Sequence, residues 1–423
     1  MSDAARGSIL APFRIRSFRF QWPADLCASW AFEMETLILG WYVLVETQSV
    51  LMLTIYASMQ YLGTLLSPLF GVAGDRIGQR KLLSSMRGFY ALLSASIMGL
   101  ALTQLINPYA VLGIAALMGM VRPSDIGMRT ALVGETVPHA QLMGAMSVQR
   151  MTQDSARIAG ALTGAGVMAF LGMGPAYIVV TCLYLTSCFL TLQTGAAQFA
   201  RAAQEKAFVP QSPLRDLKEG IFYVATTPYL LATMTLAFLL NMTAFPLISS
   251  LQPYVAKEVY ATDQQTLGYM SACAGLGAVA GSIAMTRFGG LFSPSRMMIY
   301  ASVGWYLVLI VYSQVTTADA GMAVLFFAGL AQSVAIVSMA AVLLRRSDQK
   351  FRGRIMGVRM LAIYSNMPGI LAAGYLLPRF GFAAVAAAYC LFGLLMTVLI
   401  VFFWRSALWR DDAAGCPWPA PMR

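Results

Sequence analysis

Charge is what this sequence has least of. Of 423 residues only 11% are charged, against 58% hydrophobic, and the mean hydropathy is +0.68. A soluble domain carries roughly 25% charged residues. The deficit excludes a chain covered by water on all sides, so most residues must face lipid or one another. Histidine is almost missing: His139 stands alone in a polar connector, and the six cysteines at 27, 182, 188, 273, 390 and 416 form no CxxC pair. Five of those cysteines lie in apolar runs, where a thiol acts as a small hydrophobe. Neither a metal centre nor a disulfide framework is expected. The Gly-x-x-x-x-Gly-Lys-Ser/Thr phosphate loop is also missing, which argues against ATP-driven work by this chain alone. With no paired histidines and no nucleophile elbow, no catalytic residue and no cofactor are expected, and the chain does not read as an enzyme.

What the sequence has instead is long apolar runs. A bilayer core takes about 20 apolar residues as helix, and that ruler finds twelve candidate spans. The first six are 22–46, 50–73, 83–104, 108–132, 144–171 and 174–194; the second six are 228–251, 264–287, 296–316, 320–344, 355–377 and 382–404. The net charge of +11 is not a basic patch interleaved with aromatics, so no nucleic-acid partner is expected. It gathers in alternate connectors: Arg6, Arg14, Arg16 and Arg19; Arg76, Arg80 and Lys81; Arg201, Lys206, Arg215 and Lys218; and Arg345, Arg346, Lys350, Arg352 and Arg354. The opposite connectors hold only Lys257 and Arg379. The positive-inside rule then places both termini and the long middle loop in the cytoplasm, in a cell inner (plasma) membrane. The first span lacks a small-residue cleavage pattern and reads as retained.

The resulting fold class is all-α integral membrane, with about twelve transmembrane helices in two pseudo-symmetric six-helix bundles. The expected boundaries are 1–194 for the first bundle, 195–227 for a cytoplasmic linker containing Pro210 and Pro213, and 228–423 for the second bundle with a short cytoplasmic tail. An internal repeat supports this division. At an offset of 209, Gly144, Arg150, Met151 and Gly160 meet Gly353, Arg359, Met360 and Gly369, while Asp154 meets Ile363 and Arg157 meets Asn366.

Residues 71–81 read Gly-Val-Ala-Gly-Asp-Arg-Ile-Gly-Gln-Arg-Lys between the second and third spans. A tight turn at Gly74 and Gly78 is expected, with Asp75 placed to face a helix N-terminus, where a carboxylate is stabilised. The segment resembles the signature loop of the major facilitator superfamily. That resemblance implies that Gly71, Gly74, Asp75, Arg76, Gly78, Arg80 and Lys81 form a conformational gate, holding the halves together in one state and releasing them in the other. Arg287-Phe288-Gly289 is a decayed copy in the second half. Further runs are similar to the branch of siderophore and macrolide exporters: Pro12-Phe13-Arg14 through Phe18-Arg19 and Trp22, Trp41, Leu132 to Pro138, Gly144-Ala145, Ala156-Arg157-Ile158, Gly220, Gly275-Leu276-Gly277 and Arg352-Gly353-Arg354. One departure stands out: exporters often carry Gly-Pro and a double glycine in span five, where this chain has Gly160-Ala161-Leu162-Thr163-Gly164-Ala165. Gly160 and Gly164 still make a small-residue face for close helix contact.

Ionisable groups at bilayer depth usually face a cavity or a partner. Span one carries Asp25, Glu33 and Glu35; span four carries Arg122, Asp125 and Arg129 on one face; span five carries Arg150, Asp154 and Arg157 on one face. The second half offers Arg359 near an end, and otherwise neutral groups such as Asn241, Gln332, Tyr364 and Asn366. A central substrate and proton cavity is therefore expected from Glu35, Glu33, Arg122, Asp125, Asp154, Arg157, Asn241, Gln332 and Asn366. Glu33 and Glu35 point about 200° apart on a helix, and Glu35, sharing a stripe with Tyr42, is the favoured acid. Low-dielectric surroundings favour the neutral form of a carboxyl, which suits a proton carrier. The competing expectation is a set of fixed ion pairs tying spans one, four and five. Arg129 and Arg150 are placed at the cytoplasmic rim, and Asp25 as a capping or snorkelling residue. The function expected is proton-coupled efflux of a small amphipathic organic compound by a monomer. Uptake of a small anionic or zwitterionic metabolite is the alternative, and a non-transporting scaffold or sensor is a third.

Overall fold

The computed structural model describes residues 11–194, 213–288, 292–346 and 352–409. Arg6, Arg201, Lys206, Pro210, Gly289, Lys350 and Cys416 lie outside them. Among the described residues the chain is helical, without a strand. The principal helices are α1 (Arg16–Thr47), α2 (Val50–Met59), α3 (Ser67–Ile77), α4 (Gln79–Leu102), α5 (Pro108–Thr136), α6 (His139–Leu171) and α7 (Met173–Gln193). They continue as α8 (Pro213–Thr226), α9 (Pro228–Thr243), α10 (Gln264–Phe288), α11 (Pro294–Gln314), α12 (Ala318–Arg346), α13 (Arg352–Tyr364) and α14 (Asn366–Trp409).

Among the described residues, seven stretches are long and apolar enough to cross a bilayer unaided: α4, α5, α7, α10, α11, α12 and Leu361–Trp409. The other passes are those that sequence composition makes awkward. α1 and α6, with 32 and 33 residues, have ample length but carry the intramembrane charges. The second expected span is divided into α2, a 3-10 turn at Leu62–Leu66 and α3, which restarts at Pro68. α8 and α9 form a pair bent by 109°, with Pro228 opening the second member. Beyond α9 the chain continues through short turns and a π-helical stretch at Val255–Val259. The last two passes meet at Gly381, whose φ of 74° turns the chain back within α14. Traced this way, the described residues make the twelve passes expected.

The segment 213–226, read from sequence as linker, is the helix α8, packed against α13. Its apolar residues recur at 214, 217, 221 and 224, a helical spacing that the surrounding charges obscure. A few helix starts elsewhere use ordinary caps. Asn107 accepts from the Ala110 N–H at 2.8 Å to start α5, and Asp263 accepts from the Thr266 N–H at 2.9 Å to start α10.

One apolar core, around Met34, Ile38, Tyr90, Val111, Tyr177 and Val180, holds the first half. A larger one around Leu240, Trp305, Tyr306, Leu309 and Tyr312 holds the second, and it takes in Leu37, Ala161 and Ala165 of the first. The halves are thus joined by apolar contact along α1 and α6. The repeat is expressed in packing. A Cβ on Gly160 would come within 2.6 Å of Glu33 Cβ on α1, and one on its counterpart Gly369 within 2.0 Å of the Met242 carbonyl on α9. In each half a missing side chain lets the fifth helix of the repeat lie directly on the first.

Candidate functional site

Three helices of the first half bring their charged faces together. On α5 the i, i+3, i+7 spacing aims Arg122, Asp125 and Arg129 at α1. Arg122 Nη2 lies 3.1 Å from Glu35 Oε2 and 3.0 Å from the Tyr184 hydroxyl, which itself donates to Glu35 at 3.0 Å. The Arg122 guanidinium also stacks over the Phe32 ring, 3.4 Å from its centroid, a cation–π contact. Deeper in the first half, Asp125 pairs with Arg129, Asp25 pairs with Arg87, and Arg87 also donates to Thr191 Oγ1. Arg129 Nη1 adds a bond to Ser29 Oγ at 2.7 Å. On α6, Arg150 reaches Asp154 at 3.3 Å and Arg157 reaches Glu33 at 3.7 Å.

Five acids therefore face five arginines: Asp25–Arg87, Asp125–Arg129, Glu35–Arg122, Asp154–Arg150 and Glu33–Arg157. Burying a lone charge costs several kcal/mol, whereas a buried pair holds together only with good geometry and further hydrogen bonds. The first four pairs have such support or a close approach. Glu33–Arg157 is the longest of the five, and its acid is the most exposed, at 23%.

Two cavities adjoin this pair. One, of about 170 Å³, is lined by Glu33, Arg122, Asp125, Arg129, Arg150, Asp154 and Arg157, with Phe32, Tyr90 and Tyr184. The other, of about 220 Å³, lies between the halves and is lined by Glu33 and Arg157 together with Tyr56, Tyr61, Phe245, Gln252, Leu267 and Gln332. Phe32, Glu33 and Arg157 border both.

The expected site residues are distributed accordingly. Glu33, Arg122, Asp125, Asp154 and Arg157 come together at the first cavity, and Gln332 joins Glu33 and Arg157 at the second. Glu35, the acid favoured from sequence, lines neither; it is buried, and the Tyr184 hydroxyl and Arg122 donate to it. The α1 face that shares a stripe with Tyr42 is the one turned into the first-half core. Asn366 donates to the Tyr61 hydroxyl at 2.7 Å and so reaches the second cavity only through it. Asn241 bonds back to the Ala237 carbonyl of its own helix. Arg129 is not a rim residue, nor is Asp25 a snorkelling one: both are buried in the cluster with Arg87. Arg87, fully buried on α4, escaped the sequence reading, as did the tyrosines Tyr90, Tyr177 and Tyr184. The signal for Arg87 was present, since an arginine four residues into an expected span must have a partner.

Of the signature loop, Gly71, Gly74, Asp75 and Arg76 lie on α3. Gly78 makes the turn at φ 97° and its N–H bonds to the Gly74 carbonyl at 2.8 Å. Arg80 donates to the Thr194 carbonyl at 2.8 Å, fixing the end of α7, while Lys81 is exposed. A cation on terminal carbonyls stabilises a helix end.

At the opposite end of the bundle, around the α1–α2 turn, the halves are in close contact. Lys257 Nζ donates to Gln48 Oε1 at 2.9 Å, and a Cβ on Gly374 would meet Thr54 Oγ1 at 1.9 Å.

A sequence profile described as transmembrane secretion effector matches residues 7–421. The chain belongs to this family, within the major facilitator superfamily. Solved structures show the same fold at low identity. The POT family transporter PepTSo aligns with a TM-score of 0.72 at 12% identity, covering 94% of this chain and 99% of its own. The nucleoside transporter NupG aligns at 0.69 and 14%, covering 94% and 100%. A D-xylose-proton symporter aligns at 0.68 and 10%, covering 90% and 96%. A search of curated proteins by sequence found no match. The chain is thus a multi-pass membrane transporter of the major facilitator type and not an enzyme. As a transporter it takes a small-molecule substrate and works in a lipid bilayer.

Proposed function

We propose that this transporter exports a small amphipathic organic compound in exchange for protons, by alternating access of two halves. The halves are residues 1–194 and 228–423, joined through 195–227, in a monomer of the cell inner membrane with both termini cytoplasmic. The carrying observation is the Glu33–Arg157 pair, which borders both cavities, is the longest of the five and has the most exposed acid. Protonating Glu33 would release Arg157, and Arg157 stands on α6, the helix that packs on α10 across the seam between halves. A proton on one side chain is thereby linked to the helix pair that must shift when the halves rock. Basic connectors on the terminus-bearing side support the orientation. The family description, secretion effector, supports the outward direction.

The test compares metabolites within cells and in spent medium, for cells expressing wild type or Glu33→Gln at equal levels. The reading expects a compound depleted inside and enriched outside with wild type only, and loss of that gradient with a protonophore. Enrichment inside would reverse the direction. A gradient insensitive to the protonophore would remove the coupling.

A further inference from the structure

The five ion pairs cancel in formal charge, but they do not present both signs equally to the cavity. In the Arg150–Asp154 pair the arginine side chain is 48% exposed and the acid 4%; in Arg157–Glu33 the values are 39% and 23%; in Arg122–Glu35, 15% and 1%. In each case the guanidinium is the more exposed partner. The positive member of each pair is thus the more open to an entering molecule.

The second cavity is more mixed. It continues from Glu33 and Arg157 along Leu37, Leu53, Phe245, Ile248, Pro253 and Leu267, with uncharged polar groups such as Gln60, Ser249, Gln252, Ser271 and Gln332 between them. Guanidinium is suited to bind carboxylate or sulfonate in forked geometry, and the apolar wall is suited to a hydrocarbon or aromatic body.

We infer that the transported molecule is an amphipathic monoanion, its carboxylate or sulfonate held by Arg157 with Arg150, and its apolar body laid along the second cavity. This rests on the reading that the cavities carry cargo, but not on the direction or energy source of transport.

The test uses three fluorescent probes with one aromatic body: dansylglycine, an anion; dansylglycinamide, neutral; and dansylcadaverine, a cation. Binding is titrated to the full chain in phosphatidylcholine nanodiscs. Dansylglycine is expected to bind about 10-fold or more tighter than either analogue, the size of one charged hydrogen-bonded contact. Arg157→Gln should bring the three within about 3-fold of one another, Arg157→Lys should keep most of the preference, and Arg150→Gln should weaken it. Equal binding, cation preference, no binding of any probe, or a preference unchanged in Arg157→Gln would each overturn the inference. So would loss of dansylglycine binding when phosphatidylglycerol replaces the neutral lipid, which would assign the arginines to lipid headgroups. Proton-driven flux of the same probes separates the two readings. Driven movement of the cation or neutral probe alone would leave proton-coupled transport standing and remove the anion preference. Preferred binding of the anion without driven movement would do the reverse.

Discussion

The two halves share a helical repeat and differ in what fills it. In the first, α1, α4, α5 and α6 hold five acid–arginine pairs, and Arg87 on α4 is buried completely. In the second, the corresponding interior is apolar and aromatic, around Trp305, Tyr306, Leu309 and Tyr312, with neutral hydrogen bonds such as Thr243 to Tyr306 at 2.7 Å. The repeat makes the contrast specific: Gly160 and Gly369 do the same packing job, yet Asp154 and Arg157 have become Ile363 and Asn366. Backbone geometry is kept in both copies, while of the charges at Arg150, Asp154 and Arg157 only Arg150 has a charged counterpart, Arg359. The first half thus carries most of the ionisable groups on which the proposed proton coupling and charge preference rest, and the second presents a largely apolar interior.

Substitutions can break that contrast, and the largest effect is expected at Arg87. Arg87→Ala leaves Asp25 buried without its main partner and should cost ~3–5 kcal/mol in stability, read as a lowered thermal unfolding midpoint in detergent. Replacing Asp25 and Arg87 together by leucines should recover much of the loss, because no lone charge remains. If Arg87→Ala were harmless, the cluster would not be a structural unit of the first half.

Next comes the seam. Gly374→Val places a side chain where Thr54 Oγ1 already stands, so the end of the bundle around the α1–α2 turn cannot close as it does here. Cysteines placed at Gln48 and Lys257 should then cross-link far less efficiently than in wild type, while the helix content is unchanged. Equal cross-linking would mean that the contact is incidental to the conformational cycle.

Neutral polar contacts of the second half should matter less. Asn366→Ala removes the bond to Tyr61 and should cost ~1 kcal/mol. A loss comparable to that of Arg87→Ala would erase the proposed difference between halves. Smaller still, Asp263→Ala removes the cap of α10, ~1 kcal/mol or less at this exposed site. Bonds from the Thr266 N–H and hydroxyl hold the Asp263 carboxyl below its ordinary value. Its contribution is therefore present above about pH 4 and lost as the pH falls through the lower, folded-state value. The unfolding midpoints of wild type and Asp263→Ala should converge in acid.

Much of the fold was legible because bilayer length, basic connectors and the 209-residue offset each point to twelve passes. What was not legible came from local geometry. The second span reads as one apolar run, yet Pro68 and the tight Leu62–Leu66 turn divide it. The segment 213–226 reads as polar linker because its charges hide a four-residue apolar stripe. At the site, spacing correctly separated Glu33 from Glu35 by half a turn of helix. It could not say which half-turn faced the cavity, since that depends on where Tyr177 and Tyr184 of α7 arrive from across the bundle. Partner identity was equally hidden: Asp25 finds Arg87 at a separation of 62 residues, and no periodicity reports such a meeting.

Glu33, not Glu35, is proposed to link the proton to conformational change. The decisive measurement is proton-driven transport into or out of proteoliposomes, with Glu33→Gln and Glu35→Gln compared side by side with wild type. Glu33→Gln should lose the response to a pH gradient while still exchanging labelled for unlabelled substrate. Glu35→Gln should keep the gradient response, at reduced stability or rate. Full gradient response in Glu33→Gln, with its loss in Glu35→Gln, would contradict the account and return the proton to the buried acid.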